Sequence, residues 1–420
     1  MNAYLEYNPD VFRGKIILLP CDDPEWSNFT KYFAAKFDVL GLKKLISTSY
    51  APESKKMFLG GVFSKYEQSS PQFNADKSKT NGKIFILDSD ITGDGHINID
   101  DLQWDYLDGD GDFKSDEVTA LRDEADIIIT NPPFSLFRDF LAWITEADKQ
   151  FIIIGNINAI TYKETFPLIM TDKMWMGSTI HSGDREFEVP QEYPLNAAGW
   201  RIDESGRKFI RVKGVRWFTN IDHGRRHEPL ALMSMADNLR FSRHKELRGK
   251  NAYDRYDNYD AIEVPFTDAI PADYDGVMGV PISWLDKYCP EQFEIVGITE
   301  RGNEYGYRTK VYTKSDSPKY SDWNCRATII TNGKVQPVYA RIWITPSWRE
   351  PSSEEAPPPT TPSLPSRATR ASWSPTSSTA TARPSTWGNS ATSQARTSSR
   401  AAARGRPTRY PERRCRATPR

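Results

Sequence analysis

The 420-residue chain is short of several things, and each shortage removes a class of protein. It has four cysteines, scattered, with no CxxC pair and no metal-ligand spacing. A disulfide scaffold and a cysteine-rich zinc module are therefore excluded, and a reducing, cytoplasmic setting is expected. No apolar run approaches the roughly eighteen residues that a membrane span requires. The opening stretch MNAYLEYNPDVFRGK has no apolar core of a signal peptide. Five histidines show neither HExxH nor HxxE, so a histidine-held metalloenzyme centre is not indicated.

What is present is enough for a sizeable core. Apolar residues make up 38% of the chain, and twelve Trp, nineteen Tyr and twenty Phe supply bulk. The net charge of −1 conceals two unlike parts. From Thr345 onward there are thirteen Arg, no Lys and four acids, about +9, which leaves the body near −10. An acidic body meets nucleic acid only through a local basic face, and residues 207–226, including Arg225 and Arg226 near Trp217, are the candidate. The region 345–420 is Pro, Ser, Thr, Ala and Arg with almost no aliphatic residue, and is expected to be disordered. Arg without Lys in that company is also what a GC-rich gene gives when read out of frame.

Strand and helix patterns alternate along the first 160 residues. Apolar strands are expected at 13–20, 42–50, 83–90, 126–130 and 150–160, and helices at 27–37, 115–125 and 135–147, the first two capped by Ser27 and Ser115. Strands that are apolar throughout imply a sheet covered on both faces. The fold class is α/β: a mixed, mainly parallel, doubly wound sheet. Residues 1–170 form its core, and 171–344 complete the core and supply a recognition region. In such folds, ligands sit beyond the carboxyl ends of the strands.

At one of those ends the chain reads DIIITNPPF. An amine on an aromatic ring is a poor nucleophile, because its lone pair is delocalised. Two acceptors on its two N–H bonds draw it toward tetrahedral geometry. The Asn131 side-chain oxygen is one and the Pro132 carbonyl is the other. Pro132 and Pro133 fix the backbone and remove competing donors. Phe134 offers a face on which an extruded base stacks. The alternative is a strand terminator with Phe134 in the core.

These residues, with PCDDPEWSNFTKYFAAKFDVLGLKKLISTSY (20–50), GDGDFKSDE (109–117), FIIIGNINAITYKETFPLI (151–169), YDNYDAIEV (256–264) and DYDGVMGVPISWL (273–285), resemble the EcoRI-type adenine-specific DNA methyltransferases over roughly residues 12–344. The resemblance implies a methyltransferase-type fold, S-adenosylmethionine as cofactor, and methylation of adenine N6 in duplex DNA after base flipping. It also implies a cognate restriction endonuclease as a partner in some settings. It places the target base at Asn131, Pro132, Pro133 and Phe134. Cys21, Asp22 and Asp23 stand where other methyltransferases carry a glycine-rich cofactor loop, and Asp112 and Phe113 where the cofactor's adenine is held. Family members usually carry an earlier aromatic segment like EFYT that MNAYLEY lacks. The expectation is a native protein longer at the front and different at the back.

Other readings compete. NPP[YF] also serves methylation of RNA adenine and protein glutamine. DITGDGHINIDD (90–101) resembles a calcium loop, with Asp90, Asp94 and Asp101 at positions 1, 5 and 12. A non-catalytic DNA-binding or calcium-binding remnant is the alternative from another class. The segment YDRYDNYDA is either a recognition loop or tyrosines packing an edge.

Overall fold

The computed structural model describes residues 1–23, 27–51, 69–179, 185–189, 191, 195, 199–299 and 308–347. Eight strands form the main sheet among these residues. They are β1 (Ile16–Leu19), β2 (Lys44–Ser49), β3 (Lys83–Leu87), β4 (Gln103–Tyr106), β5 (Ile127–Thr130), β6 (Gln150–Asn156), β7 (Trp175–Met176) and, after an excursion, β11 (Val215–Thr219). Their order is β4-β3-β2-β1-β5-β6-β11-β7. The centre, β2-β1-β5-β6, is parallel. Both flanks are antiparallel. The sheet is mixed as expected, with its parallel part confined to the middle.

The central strands show why they read as unbroken apolar runs. Ile17, Leu19, Leu45, Ile127, Ile129 and Ile152 point to one face, where Phe12, Phe33 and Phe37 cover them. Leu18, Ile46, Ile128 and Ile153 point to the other, beneath Phe140, Leu141 and Ile144. Successive side chains on a strand alternate faces, so two covered faces demand apolar residues at every position.

The helices begin where the caps are. Ser27 Oγ accepts from the backbone N–H groups of Phe29 and Thr30, opening the helix Asn28–Ala35. Ser115 Oγ accepts from Val118 N–H, opening Asp116–Glu124 with two acids in its first turn. The helix Phe137–Glu146 buries Phe137, Phe140, Leu141, Trp143 and Ile144, a single stripe at helical spacing. The run expected as a strand over 150–160 stops at Asn156. There the Asn156 side chain accepts from Asn158 N–H and a short 3₁₀ turn takes over.

The excursion between β7 and β11 is a three-stranded antiparallel sheet, β8 (Arg185–Val189), β9 (Trp200–Ile202) and β10 (Lys208–Val212). Further on, β12 (Ile262–Glu263), β13 (Met278–Pro281), β14 (Phe293–Ile298) and β17 (Arg341–Pro346) form a four-stranded sheet, and β15 (Thr328–Thr331) pairs with β16 (Lys334–Pro337). A buried bidentate ion pair, Arg216 to Asp286 at 3.0 and 3.1 Å, ties β11 to this later region. The tyrosines of YDRYDNYDA pack an edge: Tyr256 and Tyr259 are buried against Trp343. Thr345 and Pro346, expected in the tail, belong to β17, opposite Glu294 and Phe293. Residues 348–420 lie outside the described residues.

Candidate active site

β5 ends at Thr130, and Asn131 emerges exposed while Pro132 is buried behind it. Pro133 (φ −56°, ψ 122°) starts a 3₁₀ turn over Phe134–Leu136, which its carbonyl closes by accepting from Leu136 N–H at 2.9 Å. That leaves Phe134 and Leu136 as large apolar side chains held outward, 38% and 40% exposed. An exposed phenylalanine beside an exposed amide, on a proline-fixed loop, offers a flat apolar face and an acceptor suited to a planar ligand.

A cavity of about 750 Å³ opens at this point. Its walls take Pro20 and Cys21 from the end of β1, Tyr50 after β2, Gly111–Phe113, and Asn131–Phe134 with Leu136. Three separate sequence candidates, Cys21, Asp112–Phe113 and NPPF, thus meet around one space. The fourth wall was not foreseen. It is Phe187 on β8 with Ile210 and Val212 on β10, from one face of the three-stranded sheet. Their alternation with polar neighbours was the available signal.

The cavity's floor depends on a glycine. Gly111 has φ +82°, and a Cβ there would lie 2.4 Å from the Ser49 carbonyl oxygen at the end of β2. Only glycine allows both the left-handed backbone and that approach. It sets Phe113 inward, edge-on to Phe140 and Trp143, with 4% exposure. Asp112 stays partly exposed at the wall, one oxygen accepting from Lys114 N–H at 3.0 Å.

Asp22 is not at the wall. It is 6% exposed, and its carboxylate accepts from Ser27 Oγ at 2.7 Å and Thr130 Oγ1 at 2.5 Å. Burial pushes its pKa up to about 6, against the pull of hydrogen bonds from Thr130, Ser27 and the Asn131 backbone. Asp23, half-buried beside it, is likewise absent from the cavity's lining, and its carbonyl accepts from Ser27 N–H at 2.7 Å. The Asp22 oxygens, expected to face a cofactor, are engaged by Ser27 and Thr130 within the protein. Pro24, Glu25 and Trp26 of the same segment lie outside the described residues.

The basic face is half retained. Arg225 is exposed, with one nitrogen 3.1 Å from the Ser178 carbonyl. Arg226 is not a surface group. It is 7% exposed, bonds the Asp172 carboxylate and lies 4.0 Å over the Trp175 ring. Burying a guanidinium requires such partners, and they remove it from solvent. His223 is buried, and His227 is held by Asp222 and Glu291; His181 lies outside the described residues.

The calcium-like loop closes on itself. Asp90 accepts from the N–H groups of Gly93 and Gly95, Asp94 from His96, and Asp101 from Ile91, Thr92 and Asn98. Backbone donors on its oxygens hold Asp101 down at a pKa of about 2. Among the described residues no group of three or more His, Cys, Asp or Glu is placed to hold a metal ion, and no helix is long and apolar enough to cross a membrane.

Comparison with known proteins gives a consistent result. The family described as adenine-specific methyltransferase EcoRI matches residues 1–346. The chain is similar to the Type II methyltransferase M.EcoRI of Escherichia coli, 42% identical over 301 residues, covering 71% of this chain and 84% of that protein. It is similar to the Type II methyltransferase M.MpnI of Mycoplasma pneumoniae, 33% identical over 314 residues, 73% and 83% of the two chains. It is also similar to the Type II methyltransferase M.MgeORF184P of Mycoplasma genitalium, 33% identical over 297 residues, 70% and 78%. No solved structure matches it.

Proposed function

The chain belongs to the family of EcoRI-type adenine-specific methyltransferases and is an adenine-specific DNA methyltransferase; on that premise, we propose that it uses S-adenosylmethionine to methylate N6 of an adenine flipped out of duplex DNA at the Asn131–Phe134 loop. The observation that carries this reading is the shared cavity: the amide and aromatic ring suited to the base, and the Gly111–Phe113 segment suited to the cofactor, line one space of about 750 Å³. That space is large enough for a nucleoside-sized cofactor with a base beside it.

The residues fit the cofactor. Asp112 has a carboxylate at the wall to accept from an amino group, and Phe113 supplies apolar surface beneath it. When bound, S-adenosylmethionine supplies a methyl group on a sulfonium, which leaves readily without a strong base. Asn131 and the Pro132 carbonyl each accept one N–H of the adenine amine and orient its lone pair across the cavity. Phe134 stacks on the base. Phe187, Ile210 and Val212 keep the opposite side apolar and limit water. Arg225 is an exposed cation suited to a DNA phosphate, as are Arg207, Arg211 and Lys213 of the same segment. A paired restriction endonuclease is the partner that the Type II relatives suggest.

Asn131→Ala tests the assignment. It should reduce methyl transfer to duplex DNA by about a hundredfold or more, the scale for losing one preorganised hydrogen-bonding group. Cofactor binding by calorimetry should stay within about threefold, since about 0.65 kcal/mol separates threefold affinities. Retained formation of N6-methyladenine by this variant overturns it. Transfer to RNA or protein glutamine but not to duplex DNA overturns the choice of substrate.

A further inference from the structure

The wall of the cavity takes Pro20 and Cys21 from the end of β1, and the next residue turns inward. Asp22 is held on its backbone by β2: its N–H donates to the Thr48 carbonyl at 3.0 Å, and its carbonyl accepts from the Ser47 hydroxyl. Its carboxylate reaches the other way, to β5, 108 residues along the chain. There it accepts from the Thr130 hydroxyl, on the last residue of the strand and next to Asn131. The remaining oxygen accepts from Ser27, which also caps the helix Asn28–Ala35.

One buried side chain therefore joins the ends of β1 and β5 and the start of a helix. A cofactor ligand would present an oxygen to the cavity; this one has donors on both oxygens and does not line it. A helix cap alone would need only the contact with Ser27. The bond to Thr130 does neither job. It ties down the point at which the strand becomes the Asn131–Phe134 loop.

We infer that Asp22 is a positioning residue for methyl transfer: its carboxylate sets the backbone of Asn131 so that the Asn131 amide and the Pro132 carbonyl face the adenine amine together. This rests on the proposed role of Asn131. Pro132 and Pro133 restrict the local dihedrals, those of Asn131 included, but do not tie the loop to the neighbouring strand; the Asp22–Thr130 bond adds that tie. Displacements of an ångström at a reacting centre change rates by about a hundredfold, so the anchor belongs to kcat rather than to affinity.

Asp22→Asn and Thr130→Val each remove an anchoring bond, and Thr130→Ser keeps the hydroxyl. The first two should lower the single-turnover rate of methyl transfer to duplex DNA about tenfold or more, with the dissociation constant for S-adenosylmethionine changed by less than about threefold. Thr130→Ser should restore the rate. If Asp22→Asn does not fold, the Thr130 pair decides alone. A loss of cofactor affinity that accounts for the lost rate overturns the inference and returns Asp22 to cofactor binding. Unchanged rates with only a lower melting temperature overturn it as well. Asn131→Ala runs alongside: if it is inactive while Asp22→Asn and Thr130→Val are fully active, this inference alone fails; if it is active, the reading of the site fails and this inference with it.

Discussion

The ring of Phe113 meets that of Phe140 edge to face, with centroids 5.1 Å apart. Phe113 lines the cavity and Phe140 lies on the helix that follows the Asn131–Phe134 loop, so the proposed cofactor side and the proposed base side share one packing unit. Phe113→Ala opens a hole between them. The expected cost is about 3–5 kcal/mol of unfolding free energy, measured by urea denaturation. Affinity for S-adenosylmethionine should fall in the same variant. An unchanged unfolding midpoint would show that Phe113 is not core.

Glu263 and Arg341 form a bidentate pair at 2.6 and 3.1 Å, with side chains 6% and 11% exposed, and the Tyr256 hydroxyl donates to the same carboxylate. Glu263→Ala leaves a guanidinium buried without its charge partner, and should destabilise the protein by about 3–5 kcal/mol. Glu263→Ala combined with Arg341→Met should recover part of that loss, because no unpaired charge remains. Additive losses in thermal unfolding would contradict the pairing.

His227 is clamped between Asp222 and Glu291, at 2.9 and 2.6 Å, and stacks on Tyr7 of the first helix. Burial lowers its pKa, but the hydrogen bonds to Asp222 and Glu291 outweigh that and raise it above the ordinary value. A folded pKa above the unfolded one means that stabilisation is fully present below the unfolded value and is lost as pH rises through the folded one. The melting temperature of the parent should therefore exceed that of His227→Gln most below about pH 6. The gap should shrink in alkaline buffer. A gap that widens with pH would reverse the assignment.

The sequence showed the site's local parts and missed those built from a distance. Asn131–Phe134 was legible because a strand, an amide and two prolines in a row constrain each other within a few residues. Asp22 was visible as a candidate but its contacts were not, since Thr130 comes from another strand and burial decides which way the acid points. Arg226 read as part of a basic face, yet Asp172 and Trp175 draw it inward from about fifty residues upstream. The central strands followed from their apolar runs. The antiparallel edge strands did not, because β7 has two residues and β8–β10 are short and half-exposed, so that the alternation along β8 spans only five residues.

The excursion that carries Phe187, Ile210 and Val212 leaves the main sheet after β7 and re-enters at β11, and those two strands are neighbours. Its two points of attachment are therefore adjacent, bridged by Gly177 N–H to the Trp217 carbonyl at 3.0 Å. A loop whose ends already touch can be lengthened, shortened or exchanged at little entropic cost to the sheet behind it. The chemistry of the amide loop and the shape of the wall facing it are in this way separable traits. Grafting the corresponding segment from a relative is a route to changing what enters the cavity without rebuilding what happens there.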